Sequence, residues 1–222
     1  MLDNRQNALD LCASELYSAV VADTLDSLGY HDQCVAPGLM AIEDGMRIAG
    51  FARTGIYMPV FHDDPELNVY EHELRLIDDL KPGDVPVLVC NGDVRISPWG
   101  ELLSTRAQYL GASGCITDGA IRDVDRIASM GFPVFSAARN PADTKYRGKM
   151  VLMDVPARIG GACVKSGDLV IADRDGIVIA PSEVADDVLR DALEKVRQED
   201  TVRDELRAGV TLKEVFARHG IL

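Results

Sequence analysis

The chain has 222 residues, 47% of them hydrophobic, enough for one substantial core, so one compact unit over residues 1–222 is expected. Its formal net charge of -13, with no basic run, excludes a nucleic-acid binder, because phosphate-backbone affinity comes from clustered Lys and Arg. The opening MLDNRQNALD is polar and no apolar run reaches the roughly 18 residues of a membrane span, so a cytoplasmic protein with no membrane partner is expected.

In chain order, residues 15–28 place Leu16, Val20, Val21, Leu25 and Leu28 at helical spacing before Gly29, which reads as one amphipathic helix. MRIAGFARTGIYM then reads as a strand, and LNVYEHELRLIDDL as a helix stopped by Lys81-Pro82-Gly83-Asp84. VPVLVC is a short apolar run of the kind found in strands buried on both faces. WGELLSTRAQYLG (helix), GCITDG (strand, turning at Asp118-Gly119), VDRIASMG (helix) and FPVFSA (strand) follow. That alternation requires crossovers and a partly parallel sheet.

From Lys149 the pattern changes to KMVLMDVP, ACVKSGDLVIAD and GIVIAP, read as antiparallel strands with a hairpin turn at residues 173–176. KPGDVPVLV and KSGDLVIAD share Lys-x-Gly-Asp before an apolar run, an internal echo that reads as one tight turn used twice. Residues 182–208 form a long charged helix ending at Gly209, and a second helix begins with a capping box, Thr211 to Glu214. These C-terminal helices, residues 182–222, are expected at a subunit interface. Cys12, Cys34, Cys90, Cys115 and Cys163 are odd in number and widely spaced, and read as buried free thiols.

Two short motifs carry candidate chemistry. In SPWGELLSTRAQ, Gly100 permits close backbone approach and Glu101, Leu102 and Leu103 open a helix, whose free first-turn amides and dipole suit a carboxylate. In GAIRD, Arg122 can grip a keto-acid with its planar fork, and Asp123 can bind a divalent metal; the plainer reading is a surface Arg and a capping Asp. His62 and His72, in FHDDPELNVYEH, fit no standard metal spacing and are expected to line the distal part of a substrate pocket, with Asp63-Asp64 a solvated loop. No phosphate-loop or dinucleotide fingerprint is present.

Gly100-Glu101, then twenty residues, then Arg122-Asp123, together with VVADTLDSLG, LKPGDVPVLV, GFPVFSAARNPADT and GGACVKSGDLVIADRDGIVIAP, resembles the class II pyruvate aldolases. Those enzymes act on 4-hydroxy-4-methyl-2-oxoglutarate and 4-carboxy-4-hydroxy-2-oxoadipate, and share the RraA-like superfamily with the regulator of ribonuclease E activity A. The resemblance covers most of the chain. It implies an α/β fold of the swivelling β/β/α kind with flanking N- and C-terminal helices, assembled as a homotrimer or homohexamer with active sites between subunits. It implies that Arg122 binds the pyruvyl part and stabilises its enolate, that the amides of Leu102 and Leu103 receive the substrate carboxylate, and that Asp123 holds Mg2+ or Mn2+. Glu101 falls where the family commonly has an Asp that moves protons through a water, and Glu199 is the candidate acid from a neighbouring subunit.

The chemistry is consistent with those assignments. Cleaving a C–C bond beside a 2-oxo acid leaves an enolate, which a metal and an Arg stabilise and a carboxylate relay protonates. No Lys lies in either motif, which disfavours a Schiff base. The expected activity is metal-dependent retro-aldol release of pyruvate from a 4-hydroxy-2-oxo acid, with oxaloacetate decarboxylase activity through the same enolate. The alternatives are an acidic protein-binding regulator of a ribonuclease and a same-fold enzyme acting on another, sugar-derived acid.

Overall fold

The computed structural model describes residues 5–62 and 66–221. Its centre is a curled eight-stranded sheet. The ordered path runs β1 (Met40–Ala41), β5 (Val134–Arg139), β4 (Cys115–Ile121), β3 (Asp84–Val89), β2 (Ile48–Pro59), β9 (Leu169–Ala172), β10 (Ile177–Ala180), while β6 (Gly148–Met153) also pairs with β2. Strands β2 to β5 are mutually parallel, and β1, β6, β9 and β10 join antiparallel. A separate hairpin, β7 (Ala157–Ile159) with β8 (Ala162–Val164), completes the mixed β/β/α architecture. Every residue of β3, β9 and β10 is buried, as their unbroken apolar runs require.

Three apolar cores result. Helices α1 (Arg5–Glu15), α2 (Ser18–Ser27) and α6 (Ala185–Arg207) pack on Phe51, Leu169, Ile171 and Val178. Helices α3 (Glu71–Asp78), α4 (Glu101–Tyr109) and α5 (Val124–Met130) pack with Leu88, Trp99, Ile121 and Met150. The β7–β8 hairpin closes over Ala52, Val85, Val87 and Ile179. The last helix, α7 (Leu212–His219), starts at the expected capping box, with Thr211 accepting from the Glu214 amide.

The Lys-x-Gly-Asp echo is one turn built twice. Asp84 Oδ2 accepts the Lys81 amide and Asp168 Oδ2 the Lys165 amide, each at 2.8 Å, and Gly83 and Gly167 take φ of 82° and 98°. Both turns dock on the same point of β2, through Phe51 N to Gly83 O and Ala52 N to Asp168 O.

Three expectations need correction. The helix read over residues 15–28 is α2, which starts later, at Ser18, with α1 ending at Glu15: the Ser18 amide and hydroxyl both donate to Asp173, at 2.7 and 2.6 Å, so a side chain from the β9–β10 turn caps α2 there. Asp118 and Gly119 are not a turn but lie inside β4. The Gly119 position has no room for a Cβ, which would stand 2.7 Å from Cys90 Sγ, and the buried Asp118 accepts the amides of Cys90 and Gly92 to tie down the loop after β3. Of the five cysteines, Cys34 and Cys163 are exposed rather than buried; all five are free. The Asp63-Asp64 pair lies outside the described residues.

Candidate active site

The two motifs meet because the segment after β3 runs back along the end of β4. Trp99 forms a parallel bridge with Ile121, and the Arg122 amide donates to Trp99 O at 3.1 Å, so Gly100-Glu101 is laid beside Arg122-Asp123. The Trp99 ring is buried against Phe132, with its Nε1–H donating to Ser104 Oγ at 2.8 Å, and this fixes the start of α4. The site stands at the carboxyl ends of parallel strands β3 and β4, where α/β sheets leave a crevice.

Gly100 is the N-cap of α4 in an extended conformation. A Cβ here would lie 2.9 Å from Asp123 Oδ2 and 3.2 Å from Arg122 Cγ, so the absence of a side chain lets all three residues converge. Asp123 takes φ 58° and ψ 32°, a left-handed conformation that costs a non-glycine residue about 1 kcal/mol. That turn points its carboxylate back at α4, where Oδ2 accepts the Glu101 amide at 3.2 Å. The first-turn amides of Leu102 and Leu103 remain, by helix geometry, directed out along the axis.

The pocket, about 250 Å3, is walled by Tyr70, Glu73, Leu74, Trp99, Leu102, Leu103, Arg122, Asp123 and Asp143, with Ser97, Pro98, Gly100 and Thr144 between them. Among the described lining residues Arg122 is the one cation. Its guanidinium pairs with Asp143 at 3.4 Å, and Asp143 in turn accepts the Tyr70 hydroxyl. Burial and that contact push the Tyr70 phenol up from its ordinary value, so it acts as a donor.

Glu73 is the acid that the sequence reading missed. It is 6% exposed, and its Oε2 accepts the Tyr57 hydroxyl at 2.6 Å. Burial pushes its pKa up to about 7, aided by Asp143 and opposed by the Tyr57 hydrogen bond and by Arg122. Glu73 and Asp143 lie in YEHE and NPADT, where nothing marks one acid as buried and another as solvated; only the tertiary contacts do.

Arg122, Asp123, Gly100, Leu102 and Leu103 thus share one pocket, and four other expected residues stand apart from it. Glu101 is absent from the lining: its Oε1 accepts from Thr105 Oγ1 on its own helix at 3.1 Å. Within one chain Glu199 lies in a separate pocket between α2 and α6, accepting the Tyr17 hydroxyl and 3.9 Å from Arg203. Neither His62 nor His72 lines the Arg122 pocket, contrary to expectation; the same segment contributes Tyr70, Glu73 and Leu74 instead. The His62 side chain is exposed, and His72 Nδ1 is buried without a hydrogen-bond partner among the described residues.

Comparison with known proteins agrees with this architecture. The RraA-like family model (Aldolase/RraA) matches residues 18–179. DlpA of Legionella pneumophila is 28% identical over 200 residues, covering 89% of this chain but only 31% of that protein. A Halalkalibacterium halodurans protein named "Putative 4-hydroxy-4-methyl-2-oxoglutarate aldolase" is 30% identical over 175 residues, 79% of this chain and 77% of its own length. Among solved structures, an uncharacterized protein from Pseudomonas syringae superposes with a TM-score of 0.81 at 29% identity, covering 95% of this chain and 96% of the other. Streptomyces coelicolor RraAS2, described as an unusual member of the RNase ES inhibitor RraA protein family, gives 0.78 at 26% identity over 89% and 96%. By its sequence and by its fold, this chain belongs to the RraA-like family.

Proposed function

We propose that the chain is a carbon–carbon lyase that binds a small 2-oxo acid in the Arg122 pocket and releases pyruvate from a 4-hydroxy-2-oxo acid by retro-aldol cleavage. Decarboxylation of oxaloacetate would pass through the same enolate. The observation that carries this reading is the convergence of a helix N-terminus, Arg122 and the Asp123 carboxylate on one pocket, and the aldolase name of the Halalkalibacterium relative supports it.

The substrate carboxylate accepts the Leu102 and Leu103 amides at the positive end of α4. The Arg122 fork donates to the 2-oxo oxygen, placing positive charge where the enolate develops; Asp143, 3.4 Å away, and Tyr70 orient that fork. Trp99 and Pro98, both buried, keep water from the inner wall.

A divalent cation, Mg2+ or Mn2+, fits at Asp123. The carboxylate is exposed, one oxygen is anchored by the Glu101 amide, and the donor set is hard oxygen. Among the described residues no group of three or more His, Cys, Asp or Glu is placed to hold a metal, so an ion at Asp123 would have to take most of its shell from water. When bound, it supplies further positive charge beside the oxo group. In a homotrimer or homohexamer, Glu199 would serve the metal site of an adjacent subunit.

The test is pyruvate release, coupled to lactate dehydrogenase, from oxaloacetate and from 4-hydroxy-4-methyl-2-oxoglutarate, with Mg2+ or Mn2+ or with chelator. Release above the metal-only rate is expected, reduced by at least ~100-fold in Arg122→Ala. No release from either compound with either metal would reject the reading. A second reading, a regulator that binds a ribonuclease, is favoured by the likeness to RraAS2 and by the net charge of -13. Salt-sensitive binding to a basic ribonuclease surface, without lyase activity, would select it.

A further inference from the structure

Glu73 stands on the wall of the Arg122 pocket yet belongs to none of the groups that bind carboxylate, oxo oxygen or metal. It sits in the first turn of α3 and is held from behind by Tyr57, a fully buried residue of β2. The titratable and charged groups around it come from several elements: Tyr57 from β2, Cys90 after β3, Arg122 after β4, Asp143 after β5 and Tyr70 ahead of α3. The guanidinium that could have paired with it is paired with Asp143. A carboxyl held up to about 7 by burial exists in both protonation states at neutral pH, which suits proton transfer. Glu101, by contrast, is engaged by Thr105 on its own helix.

We propose, resting on the 2-oxo acid reading above, that Glu73 is the proton-transfer group of this pocket and protonates the methylene carbon of the bound enolate. The Glu73 O–H bond breaks with its electrons left on the carboxylate, the enolate π pair forms the new C3–H bond, and the enolate oxygen returns to a 2-oxo group. In retro-aldol turnover the carboxylate regains its proton from the 4-hydroxyl, which loses it as the C3–C4 bond breaks and the new carbonyl forms. After a decarboxylation the replacement proton comes from water.

The experiment compares wild type, Glu73→Gln and Tyr57→Phe. Proton NMR follows exchange of the pyruvate methyl protons in D2O with Mg2+, and CO2 release from oxaloacetate is measured alongside. Gln keeps the shape and still accepts the Tyr57 hydroxyl. Methyl exchange is expected to fall at least ~100-fold in Glu73→Gln, while CO2 release, whose bond cleavage needs no acid, falls less than ~10-fold. Exchange begins with the carboxylate taking a methyl proton, so the wild-type rate rises with pH through the Glu73 midpoint. Tyr57→Phe removes a donor that favours the carboxylate and moves that rise to higher pH, a displacement that a purely structural role would not produce. Wild-type exchange in Glu73→Gln, or equal loss of exchange and CO2 release, would overturn the proposal. A wild-type protein that neither exchanges nor decarboxylates would remove the 2-oxo acid reading and this inference with it.

Discussion

Gly100 and Asp123 set the width of the site between them. In Gly100→Ala the new methyl would meet the end of an exposed carboxylate and the Arg122 stem, which move without disturbing the core. The variant should keep its melting temperature within about 2 °C and lose at least ~10-fold in kcat/KM, since a small misplacement of the binding groups is costly. Steady-state kinetics and thermal denaturation check both halves. Glu73 makes the opposite case, a residue that costs stability. Its carboxyl is raised from 4.5 to about 7 in the fold, so the native state holds more protons than the unfolded chain between those values. Stability contributed by the neutral form is complete below pH 4.5 and is lost as pH rises through 7. Glu73→Gln should therefore be more stable than wild type at pH 8, by about 1–3 kcal/mol, and indistinguishable at pH 4, as measured by urea unfolding at each pH. Arg122, Asp123, Gly100 and the two leucines were singled out by the joint spacing of two motifs and the family resemblance it carries, whereas the Arg-Asp pair alone reads as a surface residue and a helix cap. Glu73 and Asp143 were not legible, because burial and pairing belong to the folded chain.

Among the elements, the repeated Lys-x-Gly-Asp turn and the capping box of α7 are cases whose sequence signal reported the structure directly. Asp168 is buried and accepts both the Lys165 amide and, through Oδ1, the Ser182 amide at 2.9 Å. Asp168→Ala leaves those donors unpaired and should cost about 2–3 kcal/mol in urea unfolding. The exposed cap of α7 offers a milder comparison: Thr211→Ala should cost about 1 kcal/mol, seen as a small fall in the melting temperature. Where sequence reading failed, a distant partner decided the outcome. Periodicity alone carries one helix through Leu16 and Tyr17, and only the Asp173 side chain, 155 residues away, with Arg47 binding the Ala13 and Leu16 carbonyls, explains the break. Likewise Asp118-Gly119 has turn composition, but it forms an irregularity within β4, where the pairing with β5 shifts register between Thr117 and Ala120, and Gly119 has no room for a Cβ beside Cys90.

For the whole molecule, the sheet order brings the two turn-and-strand echoes to the same segment of β2 and leaves the parallel strand ends free for the pocket. The alternation of strand and helix in the middle of the chain made that parallel block readable, whereas the order of strands across the sheet depends on long-range pairing that no local pattern encodes. Among the described residues no helix is long and apolar enough to cross a membrane. If the proposed assembly holds, light scattering will give three or six times the 24.1 kDa of one chain. A 24.1 kDa particle would remove Glu199 from the site. The central claim, that this pocket forms and protonates a pyruvyl enolate, is tested most directly with pyruvate itself, because the measurement needs no knowledge of the rest of the substrate. In D2O with Mg2+ or Mn2+, the wild-type protein should wash out the pyruvate methyl signal, and Arg122→Ala should not. A methyl signal that persists with wild-type protein and either metal would contradict the account.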